Sequence, residues 1–516
     1  MPEPYFVTEV ERQLAQRRRK WQPVRLVLIA ALVAVVYLAL TAAILFTRND
    51  TPRYADIAEH FKYGSIGSET ESGIPYRVWQ ALPRLFPDTF ERRDDYSAFG
   101  FLYEKDSLGR QRDLPIGVSR RTVRGVDMVW LNCAVCHTGT YRLSANGPRI
   151  TVPAMPSNNL QFERFVRFVL STAADERMAP DTLIPAAEAA GHRFGVVEKV
   201  AWRYLVLPTL REGLIARHAR LESLLARQPD WGPGRVDTFN PYKVVQMKIP
   251  ASTLTPAEVI GAADFPAVFE QGPREGMHLH WDGNNTSLAE RNLSAALGAG
   301  VTPETVDHAA IKRVADWLLT LKPPASPNRP DAGAVARGRT VYRSACSSCH
   351  GEQDPAGYQF QGETIGKVDP IARLGTDRAR LDSYTPAFRQ RQLTELFAGT
   401  PYAFRSFEKT DGYANLPLDG LWLRGPYLHN GAVPTLKDLL APPAERPSAY
   451  LRGSDVVDAV NGGFLSPPCN PKAPPPPAAG FCFDTAQAGN GRDGHLYGTD
   501  LPAPAKSDLL AYLLTF

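Results

Sequence analysis

Cys133-Ala134-Val135-Cys136-His137 and Cys346-Ser347-Ser348-Cys349-His350 are the two stretches that decide how this chain is read. Each is C-x-x-C-H, the attachment pattern of c-type haem. The spacing has a chemical reason: two thiols add across the two vinyl groups of one porphyrin, and the adjoining His then reaches the iron as proximal ligand. A redox dithiol has no need of His beside its second Cys, and a zinc site would want a fourth ligand close by. The expected cofactors are therefore two covalently bound haem c groups. Cys133, Cys136, Cys346 and Cys349 would carry them, with His137 and His350 on the irons.

The other two cysteines read differently. Cys469 and Cys482 bracket the segment NPKAPPPPAAGF, and in an oxidising compartment they are expected to form a disulfide around a stiff, proline-rich loop. That compartment is implied by residues Leu26 to Phe46, LVLIAALVAVVYLALTAAILF, which carry no charge. As a helix this run is about 30 Å long, the thickness of a bilayer's hydrocarbon core. Arg17, Arg18, Arg19, Lys20 and Arg25 precede it, and Arg48 stands alone behind it before Asp50. The positive-inside rule keeps residues 1–25 in the cytoplasm and sends the chain beyond residue 47 across the membrane. The competing reading is a cleaved signal peptide, for which Thr41-Ala42-Ala43 offers a small-x-small site, but the apolar run exceeds the usual signal core. The expected location is a bacterial inner membrane, crossed once, with the haem domains in the periplasm.

A chain of 516 residues allows about three folded units. With 22% charged and 44% hydrophobic residues, global disorder is excluded. The net charge of +4 (58 Lys+Arg minus 54 Asp+Glu) is too small to argue for nucleic acid. After the membrane helix (26–46) the sequence divides at a proline-dense stretch, KPPASPNRP at 322–330. This gives an N-terminal haem c domain over 50–322, a linker over 323–333 and a C-terminal cytochrome c domain over 334–516. Thr302-Pro303-Glu304 reads as the start of a helix whose apolar face carries Ile311, Val314, Ala315, Leu318 and Leu319. Glu188 to Arg227 also shows helical periodicity. In the second domain, Gly338 on the helix leading into Cys346 permits close approach of the apolar terminal helix 508–516. The fold class expected is mostly α: a transmembrane helix followed by two cytochrome c-like haem domains.

The second axial position of each iron separates electron transfer from chemistry. For the C-terminal haem the candidates are His495, in Gly494-His-Leu-Tyr-Gly498 just ahead of the terminal helix, and His429, in Gly425-Pro-Tyr-Leu-His-Asn-Gly431. The loop feeding the terminal helix is where small cytochromes c present this ligand, so His495 is preferred. For the N-terminal haem there is no histidine between His137 and His192. Met155 reads as packing, and His278 and His280 lie far along the chain. An open iron is expected there, able to meet oxygen or peroxide.

Together with His280-Trp281-Asp282-Gly283-Asn284 and Ser287-Leu288, these segments resemble the bacterial di-haem cytochrome c peroxidase superfamily, which includes methylamine-utilisation-type enzymes and the rubber oxygenases. The resemblance spans most of residues 130–516. It implies that Trp281 lies between the haems and relays electrons; its plainer reading is a buried aromatic anchor. The sequence departs from the peroxidase pattern. It has no displaceable His soon after the first haem motif. Asn284 stands where Arg follows Trp-Asp-Gly, and Arg291 and an Ala-Leu-Gly-Ala-Gly run ending at Gly300 stand where Gln and an acidic residue belong. No acid–base group for O–O cleavage is evident beside the iron, which places the chain nearer the rubber-oxygenase branch. Two functions remain. One is an oxidoreductase activating oxygen or peroxide at the N-terminal haem, with the C-terminal haem relaying electrons. The other is a non-catalytic electron carrier serving a redox partner protein or a quinone-linked chain in the membrane.

Overall fold

The computed structural model describes residues 4–474 and 480–516. Residues 1–3 of the expected tail and 475–479 of the proline-rich segment lie outside the described residues. Helix Pro4–Thr47 extends well beyond the apolar run, because Gln, Leu, Ala and Arg before it are good helix formers. Among the described residues this is one helix long and apolar enough to cross a membrane, and its apolar stretch packs against nothing else in the chain.

Helices account for 44% of the chain. Among the described residues the strands are short and form one three-stranded and five two-stranded sheets, all antiparallel. The helical reading missed these hairpins, and one of them positions the first haem motif. Val118–Val123 pairs with Val126–Leu131, Val118 opposite Leu131, so the second strand ends where the motif begins. Asn132 then caps the turn Cys133–Val135, its side chain accepting from the Ala134 N–H at 3.0 Å.

The helix expected from Thr302 begins later. Thr305 Oγ1 accepts the Thr302 N–H at 2.9 Å in a separate turn. The helix is His308–Leu318, capped by Asp307 accepting from the Ala310 N–H at 3.0 Å. Asp307 competes successfully because its carboxylate is a stronger acceptor for an orphan helical N–H than a threonine hydroxyl. Helical residues run through 196–225, with one wider turn at Trp202–Val206.

Residues 323–331 are irregular but attached: Trp422 Nε1 donates to Pro324 O at 3.0 Å, and buried Ser326 donates to Leu514 O at 2.6 Å. Helix Ala332–Ala345, capped by Asp331, leads into Cys346. It crosses the terminal helix Ala503–Leu513 so closely that a Cβ at Gly338 would lie 1.9 Å from Asp508 O. Tyr342 and Tyr512 meet edge-on there, 5.2 Å between ring centres.

An aromatic core built on Trp79, Tyr96, Phe99 and Phe165 anchors the N-terminal half. A second core joins both halves, packing Phe61 and Val268 with Trp422, Val457 and Phe464. Met155 belongs to it, as its packing role requires. Cys469 and Cys482 are joined, closing the proline-rich segment.

Candidate functional site

The first motif opens on a cavity of about 330 Å³, within the range of about 300–1,000 Å³ usual for cofactors and ligands. Cys133, Cys136 and His137 line it together. His137 Nδ1 is 3.0 Å from Pro266 O. A carbonyl only accepts, so Nδ1 carries the hydrogen and Nε2 keeps a lone pair. Burial, reinforced by Arg291, lowers the His137 pKa to about 3, which keeps the imidazole in its neutral, ligating form. Two thiols and one oriented imidazole on a single cavity fit a covalent haem.

The second motif is arranged alike. His350 Nδ1 donates to Leu416 O at 2.8 Å, again leaving Nε2 free. Across from it stands His495, with 6.3 Å between ring centres and 42° between ring planes. Bis-imidazole ligation predicts that separation. A metal–nitrogen bond of about 2.0 Å and about 1.1 Å from nitrogen to ring centre, counted on both sides, sum to about 6.2 Å. His495 sits at φ 46°, a left-handed conformation, with Gly494 at φ 75° before it. Gly494 packs against the backbone of Gly375 and Thr376, and the His495 N–H bonds Leu374 O at 2.8 Å, so the loop is fastened where it presents the ring. Burial and the facing His350 lower the His495 pKa to about 4.

His429, the other histidine considered for that position, is occupied elsewhere. It stacks on Tyr413 at 4.1 Å, and its Nε2 lies 2.9 Å from the Tyr413 hydroxyl. Arg235 and Arg424, both plausible partners for haem propionates on charge alone, are likewise engaged. Arg235 faces Asp264 at 3.7 Å and donates to Asn490 at 2.9 Å. Arg424 holds Asp419 at 2.8 Å.

Trp281 lines the first cavity, and its Nε1 donates to Asp264 O at 2.8 Å. It also packs against the cluster of Leu374, Leu381 and Tyr413, which Tyr497 joins at its edge. Tyr497 in turn meets His495 edge-on at 5.2 Å. This shared cluster links the wall of the first cavity to the loop that carries His495. The tyrosines carry no motif of their own, so only the fold reveals them.

The turn that holds Trp281 is tightly determined. The Leu279 N–H bonds Asn285 O at 2.7 Å, Ala414 N–H bonds Trp281 O at 2.9 Å, and Asp282 is paired with Arg380 at 3.0 Å, both buried. The same turn brings His280 into the first cavity at φ 64°, with its Nδ1 2.6 Å from Asn284 Oδ1. A non-glycine residue held in that conformation costs on the order of 1 kcal/mol and persists only where its surroundings demand it. Arg291, on helix Leu288–Gly298, reaches the same cavity. The first centre therefore has polar groups that linear distance concealed. His278 is not among them: it bonds Gly283 O at 2.9 Å and faces Glu408.

Two oriented histidines beside paired thiols, one of them facing a second histidine, fit the donor chemistry that c-type haem would require. Comparison with known proteins agrees for part of the chain. Residues 412–451 match a family described as RoxA-like, cytochrome c-like. That stretch contains Tyr413, Asp419, Arg424 and His429 but neither C-x-x-C-H motif. The chain is similar to two uncharacterized proteins of Sinorhizobium fredii (strain NBRC 101917 / NGR234). It is 29% identical to y4iM over 287 residues, 49% of this chain and 64% of that protein. It is 38% identical to y4iJ over 113 residues, 20% of this chain and 17% of that protein. The chain thus spans less than two thirds of the length of either relative. The presence of a cytochrome c-like domain supports a haem-based electron-transfer or oxidoreductase role.

Proposed function

We propose that this protein is a membrane-anchored, periplasmic di-haem c-type oxidoreductase, akin to the rubber-oxygenase branch of the di-haem peroxidase superfamily. Its N-terminal centre would take a small oxidant and its C-terminal centre would relay electrons. The observation that carries the reading is the asymmetry of the two centres. His350 faces a second imidazole at ligating distance, whereas His137 opens on a cavity. Each bound haem supplies one-electron chemistry and, where a coordination position is free, an iron that small oxidants can reach.

The chain's own residues do the rest. Cys133, Cys136 and His137 would hold the first haem; Cys346, Cys349, His350 and His495 would hold the second. Pro266 O and Leu416 O orient the proximal rings. Trp281 is proposed as the electron relay, supported by its position on the cavity wall and its packing against the cluster that holds Tyr413. The apolar N-terminal helix, preceded by basic residues, would keep both centres beside a quinone-linked chain or a redox partner protein. The electron-carrier alternative draws on the second centre, whose facing histidines suit low-spin electron transfer.

Low-temperature EPR of the oxidised full-length protein, with subsequent mixing with oxygen and with hydrogen peroxide, tests the reading. One high-spin and one low-spin haem together with a reaction at the high-spin centre is expected. Two low-spin haems inert to both oxidants would replace it with the electron carrier.

A further inference from the structure

Three polar side chains on the N-terminal cavity have hydrogen-bonding capacity that the protein itself does not use. His280 donates Nδ1–H to Asn284 Oδ1, and its Nε2 makes no protein hydrogen bond. Asn284 Nδ2 is buried without a partner. Arg291 is buried, faces no carboxylate and makes a single long bond, 3.4 Å to Asn292 Oδ1. Other buried arginines are engaged: Arg380 is paired with Asp282 and Arg452 with Asp264, while Arg446 donates to the carbonyls of Ala441, Arg492 and Gly494. An uncompensated guanidinium in a largely apolar cavity calls for an anion, or a charge that develops there.

A haem propionate is the obvious anion, but the placement argues against it. Arg291 lines the cavity together with Cys133, and its helix supplies Leu293, Ala296 and Leu297 to the cluster against which Cys133 packs. It therefore stands toward the thiol side of the cavity. In a covalently attached haem the thioether carbons and the propionates lie on opposite edges of the porphyrin.

We propose that His280, Asn284 and Arg291 form an acid–base wall that selects a hydroperoxide as the substrate of this centre. His280 Nε2 takes the proton from the near oxygen of the peroxide and returns it to the far oxygen. Asn284 holds the tautomer that leaves Nε2 basic. Arg291 stabilises the negative charge that develops as the O–O bond breaks. With hydrogen peroxide, atoms and electrons balance. Two electrons, supplied by the bound haem, enter the O–O bond, and the far oxygen leaves as water carrying its own proton and the transferred one. The near oxygen, already reduced by those two electrons, becomes a second water on taking up two protons. An external donor returns the two electrons to the haem, so that hydrogen peroxide, two electrons and two protons give two waters. Dioxygen brings no proton for His280 to move, so the wall has no such task with it.

The inference rests on the reading that the N-terminal haem takes a small oxidant, and the test separates the two. Full-length, haem-loaded protein is compared with His280→Asn, Asn284→Val and Arg291→Met. Asparagine tolerates the left-handed backbone at 280 and has no basic nitrogen. His280→Gln is the second variant should folding suffer, and haem content is matched in all of them. The readouts are the second-order rate with hydrogen peroxide, the association rate of cyanide (which binds as HCN loses its proton) and the affinity for fluoride. His280→Asn is expected to slow both rates by about 10²–10⁴-fold, with the ferric spin state unchanged. Arg291→Met is expected to slow the peroxide reaction by about 10²–10³-fold and to weaken fluoride binding. Unchanged rates in His280→Asn would overturn the wall, as would a low-spin N-terminal haem that turns high-spin in that variant, which would make His280 an axial ligand. A wild type inert to every oxidant would overturn the proposed function itself.

Discussion

Replacing His495 by asparagine isolates the geometry of the second centre. The ring lies 6.3 Å from that of His350, close to the separation that two metal–imidazole bonds require. Asparagine suits the backbone at φ 46°, where alanine would add on the order of 1 kcal/mol of strain. His495 Nδ1 has no hydrogen-bond partner, so its loss leaves no protein group unsatisfied. The folded protein then loses mainly ring packing against Tyr497, on the order of 1 kcal/mol. That corresponds to a fall in Tm of about 2–4 °C. The spectroscopic change is far larger: one low-spin EPR signal per chain converts to high-spin, and added imidazole restores it. His429→Phe is the control. It keeps the stack on Tyr413 and forfeits the 2.9 Å contact to the Tyr413 hydroxyl, which still reaches Asp377 O at 2.7 Å. A cost of about 1 kcal/mol with unchanged haem spectra is expected. If His429→Phe abolished the low-spin signal while His495→Asn preserved it, the ligand assignment would be refuted.

Other contacts lead to further expected outcomes. Trp281→Phe keeps an aromatic ring but loses the 2.8 Å bond to Asp264 O; inter-haem electron transfer monitored by stopped-flow spectroscopy should slow while both haem spectra persist. Gly338→Ala places a Cβ 1.9 Å from Asp508 O, so the crossing helices must separate by about 1.5 Å to reach ordinary contact. A loss of about 1–3 kcal/mol in denaturant unfolding is expected. The His280 imidazole is held down to a pKa of about 4, first by burial and then by Arg291, with Asp282 and Asn284 opposing and Arg380 adding to the depression. Its neutral form therefore persists as pH falls from 6.5 and is lost through about 4. The peroxide rate should drop along that acid limb, and Arg291→Met should move the limb to higher pH. Asp282→Ala leaves Arg380 buried with one weak hydrogen bond, 3.4 Å to Thr238 Oγ1. A loss of about 3–5 kcal/mol is expected, read by thermal unfolding.

Local chemistry explains what could be read in one dimension. Cys133, Cys136, His137 and their counterparts at 346–350 act within five residues, so their meaning survives without a fold. The same holds for the uncharged run 26–46 and for the close crossing at Gly338, each set by residue type and short spacing. The helix expected from Thr302 begins at His308 because Thr302 and Asp307, five positions apart, are both cap-type residues and only the packed structure ranks them. Which histidine stands opposite His350 was open in the sequence, since the candidates His429 and His495 lie 79 and 145 residues away. The loop's attachment to Leu374 and Gly375 decides it. The acid–base group near the first centre was missed for the same reason. His280 is 143 residues beyond His137, and its approach depends on a turn held by Asn285, Ala414 and the Asp282–Arg380 pair. The attachment motif is a short-range signal that sequence alone carries; the residues facing each motif are assembled by long-range packing, and only the tertiary structure could decide them.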